Sequence, residues 1–104
     1  MKRGEIWWAQ LAAPAGRRPV ILLSRNAAYT VRTSVTVAPL TTTIRNIPVE
    51  VRLGAEQGVP RECVANLDEV QTIPKDQLLR LVTELSPQVL ARVDQALRFA
   101  LGLE

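Results

Sequence analysis

The sequence predicts one mainly β domain of the α+β class, a small and strongly bent barrel closed off by a helix. Three observations lead there. At least five short strand-like segments alternate with turn residues along the chain. The stretch from Ser86 to Gly102 carries the one clear amphipathic helix. At 104 residues and 47% hydrophobic content, the chain suits a single core, and no linker or repeat divides residues 1–104.

Glu5 to Leu11 reads as the first strand, ended by the loop Ala12–Gly16. Trp7 and Trp8 must point to opposite faces of it. The alternation Trp7, Ala9, Leu11 turns Trp7 to the core and leaves Trp8 as a stacking platform or an interface residue. The apolar run Val20–Ser24 reads as a strand buried on both faces, with Arg17-Arg18-Pro19 at its mouth. Pro19 disfavours the helical region for Arg18 and so presents that guanidinium from extended backbone. Asn26 to Tyr29 reads as a short helical turn capped by Asn26. Ser34–Ala38 alternates as a third strand that ends near Pro39 and Leu40. Val49–Leu53 is a half-exposed strand, Gly54–Pro60 a loop, Cys63–Leu67 a short strand and Leu79–Leu85 a last strand. Ser86 as N-cap, Pro87 at the first helical position and Gly102 beyond the end frame the helix. Its apolar stripe runs from Val89 and Leu90 through Val93, Ala96 and Leu97 to Ala100 and Leu101.

The net charge of +3 hides an asymmetry. Residues 1–48 hold Lys2, Arg3, Arg17, Arg18, Arg25, Arg32 and Arg45 against Glu5 alone, a balance of +6. Residues 49–104 hold six basic and nine acidic side chains, a balance of −3. A basic first half suits a polyanion as well as a solvated face. Eleven of the thirteen cations are arginine, the residue that binds phosphate through a planar pair of donors. With no histidine and one cysteine, imidazole catalysis is excluded, an internal disulfide is impossible and only carboxylates remain as metal ligands. No metal site and no cofactor are expected. From the lone cysteine, the lack of a signal-like start and the lack of a 20-residue apolar run, a cytoplasmic location and no membrane span are expected.

Two clusters can carry chemistry. Arg18 can hold a phosphate by two parallel hydrogen bonds. Thr41-Thr42-Thr43 follows Ala38-Pro39-Leu40 at a strand end, with Arg45 just beyond, and hydroxyls there can meet phosphate oxygens or base edges. Asp68-Glu69 reads as a solvated pair. Cys63, with no histidine to activate it, reads as an inert buried thiol.

In order along the chain, Lys2-Arg3-Gly4-Glu5-Ile6-Trp7, Arg17-Arg18-Pro19-Val20, Val37-Ala38-Pro39-Leu40-Thr41, Leu67–Ile73 and the stretch from Leu85-Ser86-Pro87 to Leu103 resemble the MazF/PemK (Kid-like) toxins of toxin–antitoxin pairs. The resemblance implies an SH3-like β-barrel of the CcdB/Kid/PemK type, acting as a homodimer. It implies metal-independent, sequence-selective cleavage of single-stranded RNA, by 2′-hydroxyl attack that leaves a 2′,3′-cyclic phosphate and a 5′-hydroxyl. Arg18 and Thr41 then fall on the family's catalytic positions, and Arg17, Thr42, Arg45 and Glu69 on its RNA-binding surface. A cognate antitoxin protein is the implied partner. Two departures stand out. The loop Ala12–Gly16 is shorter than in many relatives, and Glu69 and Gln71 replace a common glutamine and a common cation. A CcdB-like gyrase-binding toxin and a noncatalytic RNA-binding barrel are the competing readings.

Overall fold

A computed structural model describes residues 1–103. Seven strands form one antiparallel sheet: β1 (Glu5–Gln10), β2 (Arg17–Leu22), β3 (Ser34–Thr41), β4 (Glu50–Leu53), β5 (Cys63–Asn66), β6 (Gln71–Pro74) and β7 (Leu78–Glu84). The order is β4-β5-β3-β2-β1-β7, with β6 also paired to β3. Two helices complete the chain, α1 (Ala28–Val31) and α2 (Pro87–Leu101). The mainly β class with a C-terminal helix is as the sequence predicts.

Strand alternation splits the core in two. From the central strands Ile6, Ile21, Ala38 and Leu40 face one cluster, which β4, β5 and α2 close with Val51, Leu53, Ala65 and Val93. Ala9, Val20, Leu22, Val35 and Val37 face the other, with Tyr29, Ile73 and Leu78. The second half of β2 therefore has no solvent face, and Val20, Ile21 and Leu22 are each 0% exposed. The β1–β7 register slips twice, between Ile6 and Trp7 and between Trp8 and Ala9. Such bulges sharpen the local twist and curl this edge of the sheet.

Two prolines mark breaks in the sheet. Leu23 donates its N–H to Thr36 O at 2.9 Å, so odd positions of β2 direct their backbone groups toward β3. Pro19 has no N–H to offer there, and pairing of β2 with β3 stops at Val20 opposite Pro39. By the same parity Pro39 turns its missing donor to the other side of β3. There the neighbour changes from β6, last paired at Val37–Gln71, to β5, first paired at Leu40–Ala65. Each proline occupies a position where the ladder lacks a partner for it.

Several boundaries differ from the sequence reading. β2 begins at Arg17, because β1 pairs the whole doublet: Gln10 opposite Arg17, Ala9 opposite Arg18 and Trp8 opposite Pro19. The doublet thus lies inside the strand. β3 continues to Thr41 because β5 pairs its last two residues. β1 ends at Gln10, β5 at Asn66 and β7 at Glu84, each short of the expected end. Asn26 is not a helix cap: Ala27 holds that position, and Asn26 Oδ1 accepts the Arg3 N–H at 2.7 Å. β6 was not expected at all. Residues 55–57 and 67–69 form 3-10 turns, and Asp68 and Glu69 lie on the second of them.

α2 matches its expected frame. Ser86 Oγ accepts the Val89 N–H at 3.3 Å, and Gly102 ends the helix at φ +69°. Val93 and Ala96 are buried, with Val89, Leu90, Leu97 and Ala100 packed beside them. Leu101 departs from the stripe and is exposed, since the helix has by then run past the core.

Candidate active site at the ends of strands β2 and β3

The site lies where the β2–β3 ladder opens. Continuing the register of Val20–Pro39 by two residues sets Arg18 across from Thr41. Arg18 is half-buried, and its Nε donates to Ala15 O at 3.3 Å. That bond ties the guanidinium to the short β1–β2 loop, itself closed by Leu11 N–H donating to Gly16 O at 2.9 Å. Arg18 forms no ion pair among the described residues, so its terminal nitrogens are available to an anion.

Thr41 is also half-buried. Its Oγ1 accepts the Thr43 N–H at 3.2 Å, which fixes the hydroxyl and leaves its own proton to be donated outward. Thr43 serves Thr41 through its backbone while its side chain is exposed.

Beside Thr41 and Thr42 is a narrow cavity of ≈ 110 Å³. Trp8, Pro19, Leu40, Val59, Pro60 and Cys63 are among the residues that line it. Trp7, by contrast, packs against the second core cluster and donates its Nε1–H to Glu5 Oε1 at 3.0 Å. The two indoles thus divide as their alternation predicts. Cys63 is buried, and burial, aided by the Glu62 charge, pushes its thiol above the ordinary range. Both effects disfavour the thiolate, the nucleophilic form.

The remaining sequence-predicted residues are more dispersed. Arg17 is exposed at the start of β2, one residue from Arg18. Arg45 rides the loop from β3 to β4, where its backbone N–H and that of Asn46 both donate to Glu50 Oε1, at 3.0 and 2.9 Å. Its side chain makes no hydrogen bond or ion pair with Arg18 or Thr41 among the described residues. Glu69 ends the 3-10 turn that fills the gap between β5 and β6, alongside Ala38 and Pro39, and is exposed. The clamp residue Glu50 is absent from the sequence reading.

Comparison with known proteins bears on this site. A family model described as "PemK-like, MazF-like toxin of type II toxin-antitoxin system" matches residues 2–101. The chain is 41% identical over 103 residues to a protein named "Probable endoribonuclease MazF2" from Mycobacterium tuberculosis, covering 98% of this chain and 99% of the other. It is 29% identical over 111 residues to "Endoribonuclease EndoA" of Bacillus subtilis, covering 99% and 96%. Among solved structures, "Endoribonuclease in complex with its cognate antitoxin from Mycobacterial species" superposes with a TM-score of 0.90 at 31% identity, covering 100% of this chain and 97% of that one. "Mycobacterium tuberculosis toxin MazF-mt6" does so at 0.88 and 35%, covering 96% and 98%. With a matching family model across nearly all its length and full-length relatives above 30% identity, this chain belongs to the PemK/MazF-like toxins of type II toxin–antitoxin systems.

Proposed function

We propose that this chain is a sequence-selective endoribonuclease that cleaves single-stranded RNA without a metal, with Arg18 and Thr41 as its catalytic residues. One observation carries the reading: at the open end of the β2–β3 ladder, an arginine with unpaired terminal nitrogens lies across from a threonine whose hydroxyl proton is free. The names of its relatives, which include endoribonucleases of two organisms, support it.

In the reaction the ribose 2′-oxygen attacks the adjacent phosphorus and the bond to the 5′-oxygen breaks. The proton lost from the 2′-hydroxyl is balanced by one gained at the leaving oxygen. The products are a 2′,3′-cyclic phosphate and a 5′-hydroxyl. Negative charge grows on the nonbridging oxygens as phosphorus becomes five-coordinate. Arg18 meets that charge with two donors, and Thr41 with one. In this reading Arg18 stabilises charge and takes no part in proton transfer. Arg17, Thr42, Arg45 and Glu69 complete the RNA-binding surface around them.

The working unit in this reading is a cytoplasmic homodimer held inactive by a cognate antitoxin. The described residues contain no helix long and apolar enough to cross a membrane. An acidic or apolar antitoxin tail laid in the same groove would displace RNA. The test is product chemistry. Purified protein incubated in EDTA with a long RNA should leave 2′,3′-cyclic phosphate ends, and a single 2′-deoxy nucleotide at the cut should block it. Cleavage that needs a divalent ion, or that proceeds past the deoxy nucleotide, contradicts the mechanism.

A further inference from the structure

A guanidinium carries its N–H donors in one plane, and two of its edges can each grip an anion through a pair of them. One edge joins Nε to a terminal nitrogen, and the other joins the two terminal nitrogens. In this chain Arg18 is committed to the second before any ligand arrives. Its Nε donates to Ala15 O at 3.3 Å, and its terminal nitrogens form no ion pair among the described residues.

The carbonyl that sets this choice is held by its own loop. Ala15 and Gly16 both donate their N–H groups to Ala12 O, at 3.1 and 3.5 Å. Gly16 O accepts the N–H of buried Leu11 at 2.9 Å. Ala15, like Trp7, packs against the second core cluster. Gly16 sits at φ +65°, and that angle sets how the Ala15–Gly16 peptide plane, and with it Ala15 O, faces Arg18. A Cβ on Gly16 would meet nothing within 4 Å, so glycine serves here through its backbone angle and not through space.

We infer that Gly16 is a positioning residue for Arg18: its left-handed backbone aims Ala15 O at Nε and so turns the edge of two terminal nitrogens toward the scissile phosphate. The inference rests on the endoribonuclease reading above. Swinging into the alternative grip would break the bond to Ala15 O. Orientation of the guanidinium is therefore settled at folding rather than during the reaction. A residue that avoids positive φ would rotate the Ala15–Gly16 plane, release Nε and leave Arg18 charged but unaimed. The loss falls on the chemical step more than on RNA affinity, because the charge that attracts RNA stays in place.

The experiment measures kcat and KM on one RNA for the wild type, Gly16→Val and Gly16→Asn, each checked for folding by thermal melt. A β-branched residue is disfavoured at positive φ, whereas asparagine tolerates it. Gly16→Val should lower kcat by about 100-fold, the scale for misplacing a group by an ångström, with KM nearly unchanged. Gly16→Asn should cleave at close to the wild-type rate. A readout on the unaltered protein covers the case in which Gly16→Val does not fold. In isotope-labelled magnetic resonance spectra Arg18 Nε–H, identified by its loss in Arg18→Lys, should exchange slowly with solvent. Arg3 Nε–H, which donates to Leu23 O at 3.0 Å, is the internal standard for such protection. A bound oligonucleotide, made uncleavable by one 2′-deoxy sugar, should perturb the terminal N–H signals of Arg18 and leave its Nε–H protected. Three results overturn the inference and leave the nuclease reading standing: folded Gly16→Val with wild-type kcat, Gly16→Asn as slow as Gly16→Val, or an Arg18 Nε–H that exchanges freely. A wild-type chain that cuts no RNA overturns the nuclease reading itself.

Discussion

The Glu50 carboxylate accepts the backbone N–H of Arg45 through Oε1 at 3.0 Å, and the same oxygen accepts that of Asn46 at 2.9 Å. Asn46 sits at φ +57°, a left-handed conformation that this pair of bonds helps hold. One side chain at the start of β4 thus ties down the loop that leaves Thr41.

Removing the clamp should be felt locally. Glu50→Ala is expected to cost about 2 kcal/mol, the scale of hydrogen bonds to a charged acceptor. Amide exchange should rise at Arg45 and Asn46 while α2 is unchanged. Glu50→Gln keeps an acceptor and should lose less. Unaltered exchange at both amides in Glu50→Ala would refute the clamp.

The basic first half predicts salt-sensitive RNA binding. Each phosphate contact adds about 0.7 to the slope of log affinity against log salt for a single strand. Arg17→Ala should lower that slope by about this amount and reduce affinity for all sequences alike. A slope that does not change would mean that Arg17 is only a solvated neighbour of Arg18.

The helix cap makes a stability prediction. Ser86→Ala leaves the Val89 N–H without its side-chain acceptor and should cost about 1 kcal/mol, while Ser86→Asp should retain most of the stability. Urea denaturation of the three chains checks this.

How far the sequence revealed the fold depended on how local each signal was. Ser86, Pro87 and Gly102 act within one helical turn of themselves, so both ends of α2 were legible. The run Val20–Leu22 announced its double burial through composition alone. β6 was not legible, because Gln71 to Pro74 carries a proline and two polar residues and owes its strand geometry to pairing with β3. The extent of β2 was misjudged for a related reason. Arg17 to Pro19 pair only with β1, and no local pattern reveals a strand with one partner. At the candidate site, the proline beside Arg18 singled that residue out, whereas the residues around Thr41 left it open and only the family resemblance pointed to it. Glu50 was not legible, since its role depends on a loop assembled from distant segments.

Cys63 supplies a pH prediction. Burial, then the Glu62 charge, raises its thiol in the folded state, so folding favours the neutral form. That contribution is fully present below the unfolded value of about 8.5 and is lost as pH rises through the higher folded value. The stability of the wild type relative to Cys63→Ala should therefore be constant below about pH 8 and fall at more alkaline pH. Native alkylation should likewise have its midpoint at higher pH than alkylation of the denatured chain. Coincident midpoints would contradict the burial argument.

The central claim is that Arg18 and Thr41 act together on one phosphate. Single-turnover cleavage of one RNA in EDTA by wild type, Arg18→Ala, Thr41→Val and the double variant tests it most directly. Arg18→Ala should slow the chemical step at least 100-fold, as loss of a transition-state donor does. Thr41→Val should also slow it, and the double variant should fall short of the product of the two effects, because the residues share one developing charge. Folded Arg18→Ala protein that cleaves at the wild-type rate would contradict the account.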